Sequence, residues 1–367
     1  MPVSGGQDAG GEHAAGRDLT ALPKAHLHLH FTGSMRPTTL VDLAASHGLR
    51  LPRALLEGGP LRVPADRRGW FRFQRLYDAA RACVRGEADL RRIVDEAVAD
   101  DAAEGSGRLE LQIDPTSYAG RLGGITPALE VALDEARLAA DRHGIDVGVV
   151  VAASRVRHPL DARTLARLAV RHAGDGPGDV VGFGLSNDER SGVTEEFGAA
   201  FAIARRGGLA LVPHGGELLG PPHVHEVLRS LLGAPGPARL GHGVRLAEDP
   251  SLLSEVVGRG IALEVCPASN VALGVYPEEA AVPLRALVSA GAEIALGADD
   301  PLLFESRLVA QYEIARQVHG FSDPELAGLA RASVQASLAG PTVKQQLLQG
   351  IDAWLAAPPS ATASPRP

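Results

Sequence analysis

The sequence predicts an α/β protein with a (β/α)8 barrel, the TIM-barrel class. Three observations predict it: eight short apolar segments, longer amphipathic segments between them, and polar clusters that directly follow most apolar segments. Alternating strands and helices favour a parallel sheet, and eight repeats in this length fit a closed barrel. An open doubly wound sheet is the alternative, but it usually carries a glycine-rich phosphate turn after the first strand, and none follows here.

Each predicted strand is a short apolar run bounded by turn-forming or charged residues. The strands are predicted at residues 25–31, 108–114, 146–154, 180–186, 209–215, 239–243, 262–268 and 293–298. Helical periodicity occupies the connections, most clearly at residues 125–143, 193–207 and 278–290.

The first connection, residues 36–107, is too long for one helix and includes an aromatic stretch at residues 70–77. We expect it to form several extra helices that cover one end of the barrel. Two roles remain open for it: a lid over an active site, or a packing element.

Composition narrows the class of protein. With 367 residues, 45% of them hydrophobic, and a net charge of −8, the chain can bury a large core but offers no basic footprint for nucleic acid or an anionic membrane. Two separated cysteines, Cys83 and Cys266, indicate a reducing compartment. Residues 1–17 lack the apolar segment of a signal peptide, so we expect a cytoplasmic protein with a small-molecule partner.

The two ends of the chain differ in composition from the middle. We predict disordered tails at residues 1–17 and 357–367 and a single domain at residues 18–356. The oligomeric state cannot be inferred from the sequence.

Histidines alternate along the first predicted strand at positions 26, 28 and 30, so we expect all three imidazoles on one face. Imidazole is the commonest metal ligand in proteins. Further polar clusters follow other strands, at residues 187–190, 214–217, 241–243, 269–270 and 299–301. Active sites of barrel enzymes lie at the carboxyl ends of the strands, so these clusters are expected to converge there.

Zinc suits this donor set, because it binds imidazole nitrogen and carboxylate oxygen and keeps a position open for water in catalytic sites. His28, His30, His214 and Asp299 form the expected ligand set. Barrel hydrolases with two metals commonly bridge them with a modified lysine on the fourth strand. The two lysines of the chain, at positions 24 and 344, do not lie on that strand, so we expect one zinc ion.

Four segments, in this order, resemble the motifs of the adenosine deaminase family: PKAHLHLHFTGS, HGGE, GHG and ADDP. The resemblance covers roughly residues 20–340. It implies a zinc amidohydrolase that converts the 6-amino group of an adenosine-type purine to a 6-oxo group and releases ammonia. The positions matching the family's zinc ligands are the four named above.

The resemblance also implies roles for other residues. Glu217 would protonate the purine ring, and His242 and Asp300 would handle the attacking water. The positions implied to contact the substrate are His30, Thr32, Asn187 and Asp300. A catalytic acid is needed because attack at C6 breaks ring aromaticity unless N1 accepts a proton.

Four positions depart from the family pattern, namely His26, Thr32, Asn187 and Val282, where the family usually has Glu, Asp, Gly and His. We interpret His26 as a hydrogen-bonded core residue rather than a fourth ligand. Because Thr32 replaces an aspartate that contacts the ribose 5′-hydroxyl, a 5′-modified adenine nucleoside such as aminodeoxyfutalosine is one hypothesis, and free adenine is another.

An arginine would be needed to bind the carboxylate of that nucleoside, and the candidates are Arg36, Arg190 and Arg245. Two other classes stay open: a metal-dependent amide or ester hydrolase that does not need Glu217, and a purine-binding protein without activity.

Several remaining polar residues are given structural interpretations. His223 and His225 are expected on the surface, because i and i+2 do not share a helix face. Cys266 is expected to pack in the core. Ser269 and Asn270 are expected to support the seventh loop or to touch Asp299.

Overall fold

A computed structural model describes residues 16–233 and 238–358 and confirms the barrel. Eight parallel strands pair in sequence order. They are β1 Lys24–His30, β2 Ser106–Ile113, β3 Asp146–Ser154, β4 Val180–Ser186, β5 Ala210–Gly215, β6 Arg239–His242, β7 Ala262–Val265 and β8 Ile294–Leu296. β7 ends three residues before its predicted end, because Pro267 occupies the first turn of the next helix.

The barrel closes between β1 and the residue segment that follows β8. The amide of His30 donates to the carbonyl of Asp299, and the amide of Asp299 donates to the carbonyl of His28, each at 3.0 Å. Closure therefore fixes Asp299 directly beside His28 and His30 of β1.

Helices fill the connections between the strands. They are α1 Pro37–Ser46, α2 Arg67–Arg81, α3 Glu87–Ala103, α4 Ala119–Leu122, α5 Ile125–His143, α6 Pro159–Arg171, α7 Gly198–Arg206, α8 Pro221–Ser230, α9 Pro250–Gly258, α10 Pro267–Ala272, α11 Leu284–Ser289, α12 Pro301–Phe304, α13 Leu308–Gln317, α14 Asp323–Ala336 and α15 Pro341–Ala356. The helix predicted at 125–143 is confirmed. The helices predicted at 193–207 and 278–290 are each divided into a 3₁₀ turn and a shorter helix. In the segment 278–290, Pro283 lies between the two parts.

The long first connection forms α1, α2 and α3, as expected, and α2 lies over the barrel mouth. Its residues Phe73 and Leu76 are buried in a separate apolar cluster with Leu273 and Phe304, which follow β7 and β8. The connection therefore both packs against the barrel and covers it, while its movement as a lid stays a prediction.

Charged side chains occupy the lower part of the barrel interior. Arg239 donates to Glu110 and to Glu264, both at 2.6 Å, and Arg108 donates to Glu110 at 3.2 Å and to Asp146 at 2.7 Å. Arg108, Glu110, Arg239 and Glu264 are at most 2% exposed. Such a layer is stable only because each charge has an opposite partner.

The described part of the chain extends slightly into both predicted tails. The Arg17 guanidinium donates to Asp323 at 2.8 Å and to the carbonyl of Leu355 at 2.8 Å. Ala357 continues the α15 hydrogen bonding with its amide. Residues 1–15 and 359–367 lie outside the described ranges. Within those ranges, no helix is both long and apolar enough to cross a bilayer.

Candidate active site

The three histidines of β1 do not share one face, so that expectation is wrong for His26. The pairing of β1 with β2 shifts register between His26 and Leu29, and such an irregularity interrupts the alternation of side chains. His26 instead bonds through Nδ1 to Asp101 of α3 at 2.9 Å, and its Nε2 accepts from the amide of Ala298 at 3.0 Å. Both ring nitrogens are engaged, which confirms the interpretation of His26 as a core residue.

His28, His30 and His214 meet at the carboxyl end of the barrel. A nitrogen from each ring lies within 4.8 Å of the others, and Asp299 Oδ1 lies 3.2 Å from His30 Nε2 and 3.6 Å from His28 Nε2. His28 Nε2 and His214 Nε2 are buried with no hydrogen-bond partner among residues 16–233 and 238–358. Three converging imidazoles, two of which have unpaired nitrogens, and a neighbouring carboxylate fit a divalent cation such as zinc.

Neighbouring groups hold these candidate ligands in place. His28 Nδ1 lies 2.7 Å from Glu264 Oε2, so this carboxylate fixes the ring and leaves Nε2 facing the site. Ser269 donates to Asp299 Oδ2 at 2.6 Å, which is the contact with Asp299 that the sequence indicated as one of two expected roles. Cys266 is buried, as expected, but its Sγ also lies within 4.8 Å of donor atoms of His28 and Asp299, a proximity that its sequence position did not indicate.

Glu217 and His242 face each other beside this cluster. His242 Nε2 lies 3.7 Å from Glu217 Oε2, and both side chains are buried. Burial, together with the negative charges of Asp299 and Glu189, raises the pKa of Glu217 well above its usual value. Burial, together with the positive charge of His28, lowers the pKa of His242 to about 3. Burial therefore favours the protonated form of the Glu217 carboxyl group and the neutral form of the His242 imidazole.

Asp300 lies in the same cavity, next to Asp299. Its Oδ1 is buried, with no hydrogen-bond partner in the described part of the chain. Gly33 makes this position possible, because a Cβ on residue 33 would lie 1.8 Å from Asp300 Oδ1. The glycine of the first motif is therefore required for the approach of the loop after β8.

Three site residues other than glycine adopt left-handed backbone conformations. The φ angles are 81° at Asn187, 62° at His242 and 62° at Asp299. Such conformations are uncommon for non-glycine residues and cluster at functional sites, where the surrounding structure maintains the strain. All three follow or end a strand at the barrel mouth, so the backbone marks the same region as the side chains.

Glu189 is a site residue whose role the sequence did not reveal. Its buried carboxylate accepts three backbone N–H groups, from Glu217 at 3.1 Å and from Leu218 and Leu219 at 2.7 Å each. These bonds hold the segment that carries Glu217. Arg155, at the end of β3, similarly donates to the carbonyl of His214 at 2.8 Å.

Two adjoining cavities lead to this cluster. The inner cavity, about 60 Å³, is lined by Glu217, His242 and Asp300 among others, and the outer cavity measures about 470 Å³. His30 and Asn187 line both, as do Trp70, Gln74, Tyr77 and Arg81 of α2. The volume of the outer cavity falls within the range of roughly 300–1,000 Å³ that is typical of ligand sites.

Thr32 lines the outer cavity, and its hydroxyl is already hydrogen-bonded to the hydroxyl of Tyr118. None of the three arginines considered for a substrate carboxylate lines either cavity. Arg36 pairs with Asp100, Arg190 with Asp188, and Arg245 with Glu248. The structure therefore gives no support to Arg36, Arg190 or Arg245 as the partner of a substrate carboxylate.

The surface prediction holds for His225 but is wrong for His223. His225 is exposed, whereas His223 is 8% exposed, with Nε2 3.4 Å from Thr194 Oγ1 and Nδ1 3.9 Å from Glu189. The first turn of α8 packs against the loop after β4, which local sequence spacing could not show.

The fold and the site define a barrel hydrolase that acts on C–N bonds. The model of the family described as "Adenosine deaminase" matches residues 23–354, and the chain belongs to this family. A Streptomyces virginiae protein described as a putative adenosine/adenine deaminase is 61% identical over 345 residues, which cover 94% of this chain and 99% of the relative.

One further relative and one solved structure also match this chain over about nine-tenths of its length. An adenine deaminase of Agrobacterium fabrum is 32% identical over 89% of this chain and 97% of its own length. The crystal structure of an adenine deaminase from Arthrobacter aurescens superposes with a TM-score of 0.81 at 26% identity, covering 91% of this chain and 99% of that one. The family expected from the motifs is thus confirmed.

Proposed function

We propose that this chain hydrolyses the exocyclic amine of an adenosine-type 6-aminopurine, giving the 6-oxo product and ammonia. The observation that carries the proposal is the placement of the Glu217 carboxyl group 3.7 Å from His242, beside converging imidazoles whose buried nitrogens are unpaired among the described residues. An amide or ester hydrolase would use the imidazoles but has no ring nitrogen for Glu217 to protonate.

One zinc ion per chain would be held by His28, His30, His214 and Asp299. Bound there, zinc would act as a Lewis acid that makes a water molecule nucleophilic near neutral pH. Glu264 and Ser269 support this role because they orient His28 and Asp299.

The remaining side chains would move protons. Glu217 donates its proton to ring N1 as water adds at C6, which relieves the charge that would otherwise develop on the ring. His242, held neutral by its burial, and Asp300 accept and orient the proton of the attacking water. The amino group then leaves C6 as ammonia with the proton taken from the attacking water, and the proton of the new C6 hydroxyl returns to Glu217 as the C6=O bond forms, so water and the aminopurine give the 6-oxo purine and ammonia.

The names of the relatives support the reaction and leave two substrates to compare. The Streptomyces relative is described with both adenosine and adenine, whereas the Agrobacterium relative is described as an adenine deaminase. Free adenine is therefore a second candidate substrate for the same chemistry.

The test is the absorbance change that accompanies conversion of the 6-amino to the 6-oxo purine, with ammonia measured in the same samples. The substrates are adenosine, 2′-deoxyadenosine, adenine and a set of simple amides, each with zinc-loaded wild type and with Glu217→Gln. We expect equimolar ammonia and 6-oxo product from at least one aminopurine, abolished in the variant. Ammonia or acid from the amides alone would refute the proposal.

A further inference from the structure

Two buried polar side chains on the wall of the outer cavity take no part in the chemistry described above. Gln112, at the end of β2, is 2% exposed, and neither amide atom has a hydrogen-bond partner within residues 16–233 and 238–358. Ser154, at the end of β3, is 8% exposed, and its Oγ also has no partner in those ranges. Buried polar groups are normally paired, so an unpaired set beside a cavity indicates a ligand.

The strand register shows how these side chains are directed. Gln112 pairs in register with His30 of β1, and Ser154 pairs with Ser186 of β4. Register partners on neighbouring strands place their side chains on the same face of the sheet. Gln112 therefore faces the barrel mouth together with His30, and Gln112, Ser154 and Ser186 all line the outer cavity.

A purine placed for the proposed reaction would extend from one cavity into the other. Its C6–N1 edge would lie in the inner cavity, where Glu217, His242 and Asp300 are found. The inner and outer cavities share His30 and Asn187 in their lining, so the opposite end of the ring, which carries N9, would point toward the outer cavity. A substituent on N9 would then contact the wall that contains Gln112 and Ser154.

The charged side chains that line the outer cavity indicate whether an N9 substituent bound there is charged or neutral. The formally charged side chains of the outer cavity, apart from histidine, are three arginines and three aspartates, namely Arg67, Arg81, Arg157, Asp78, Asp114 and Asp188. Arg81 is paired with Asp78 at 2.8 Å. A site for phosphate or carboxylate would show an excess of positive charge, whereas this wall is balanced.

We propose that Gln112 and Ser154 are specificity-determining residues that hydrogen-bond the hydroxyl groups of an uncharged N9 substituent. The preferred substrate is then a neutral 6-aminopurine nucleoside rather than free adenine or a nucleotide. A glutamine amide both donates and accepts, and a serine hydroxyl does the same, so the pair matches a sugar that carries several hydroxyls. This inference rests on the proposed function, because it assumes the C6 edge at Glu217.

The test measures kcat/KM for adenosine, adenine and AMP with wild type, Gln112→Leu and Ser154→Ala. We expect wild type to prefer adenosine, and each variant to lose roughly tenfold on adenosine, the value of one net hydrogen bond, with adenine unchanged. Gln345→Leu and Ser46→Ala make the same chemical changes outside both cavities and serve as matched controls. Thermal unfolding of every variant identifies any loss of folded protein.

The possible results separate this inference from the proposed function. Deamination with adenine or AMP as the preferred substrate would overturn the inference and leave the reaction standing. A variant that is folded but loses activity equally on adenosine and adenine would assign a structural role to its residue and would also overturn the inference. No deamination of any of the three by zinc-loaded wild type would remove the proposed function and this inference with it.

Discussion

The lower and upper parts of the barrel interior are both rich in buried polar groups, but they differ in how those groups are paired. In the lower layer, both oxygens of Glu110 and of Glu264 accept hydrogen bonds, from donors that include Arg108, Arg239 and His28. At the mouth, atoms of His214, Asp300 and others are buried without partners in the described ranges. Full pairing stabilises a fold, whereas unpaired groups are available to a cation and a substrate.

Backbone geometry shows the same difference between the two regions. Non-glycine residues with positive φ are found at Asn187, His242 and Asp299, which lie at the mouth, and at Glu305, which directly follows α12. Strain and unpaired polar groups therefore coincide at the carboxyl ends of the strands, where barrel enzymes carry their active sites.

The largest expected effect on activity comes from replacing Glu217 at the barrel mouth. Glu217→Gln keeps the shape of the side chain but cannot give up a proton, so kcat should fall by roughly 10²–10⁴-fold, the usual contribution of a general acid. The absorbance assay measures this loss, and zinc content checks that the site still binds metal. Glu255→Gln, at an exposed position on α9, is the matched control and should keep wild-type activity. Full activity in Glu217→Gln would show that another group protonates the ring.

The lower layer should affect stability instead. Arg108→Met removes the partner of Asp146 and one of the two guanidinium partners of Glu110, and breaking a buried pair costs about 3–5 kcal/mol. Urea unfolding measures the free energy of unfolding, and Arg137→Met on the exposed face of α5 is the control. Below its unfolding transition, Arg108→Met should keep wild-type kcat. A large loss of kcat in the folded variant would contradict the separation of the two regions.

Lys24, at the entry to β1, gives the lower region a pH dependence. Its ammonium group donates to three carbonyls, and burial lowers its pKa from 10.5 to about 8, although Glu104 and Asp101 oppose the shift. Because the folded protein binds fewer protons than the unfolded chain between pH 8 and 10.5, the contribution of Lys24 to stability increases across that window.

The measurement compares the free energies of unfolding of wild type and Lys24→Met at pH 7 and pH 10. The wild type should gain about 3 kcal/mol relative to the variant at the higher pH. If the difference in free energy of unfolding between the two proteins does not change with pH, the lowered pKa of the buried Lys24 is refuted.

The smallest expected effect comes from Glu189, whose carboxylate holds the backbone of residues 217–219 at the barrel mouth. Glu189→Gln replaces one of two acceptor oxygens with a donor that faces backbone N–H groups, so the Glu217 segment should shift. We expect kcat to fall roughly tenfold, in line with the loss of one charge-assisted hydrogen bond, while KM stays constant. Glu195→Gln, an exposed neighbour, is the control. A change in KM alone, with kcat preserved, would mean that Glu189 does not position the catalytic acid.

Much of the barrel could be predicted because local pattern determines its elements. The apolar runs located all eight strands, and polar residues after them located the mouth, since parallel strands end at the same face. The prediction that His26 shares a strand face with His28 and His30 failed because the register shift in β1 depends on pairing with β2, which period-2 alternation does not encode. The closing contact between His30 and Asp299 likewise arises only when the barrel forms.

The supporting residues of the site were harder to predict for the same reason. Glu189 occurs in a polar run that a solvated loop could equally contain, and only the fold brings it under the amides of residues 217–219. Gln112 stands in an ordinary strand, and its significance depends on the cavity beside it. His223 followed two prolines at a helix start, yet the packing of α8 buried it.

The most direct test of the account is a zinc titration of the chelated protein, with deaminase activity followed in the same samples. The account predicts that activity is absent without metal, rises linearly with added zinc and reaches a plateau at one equivalent per chain. Asp299→Asn should bind zinc more weakly and shift the curve. Activity that persists after chelation, or that requires two equivalents of zinc, would contradict the single metal site at the barrel mouth.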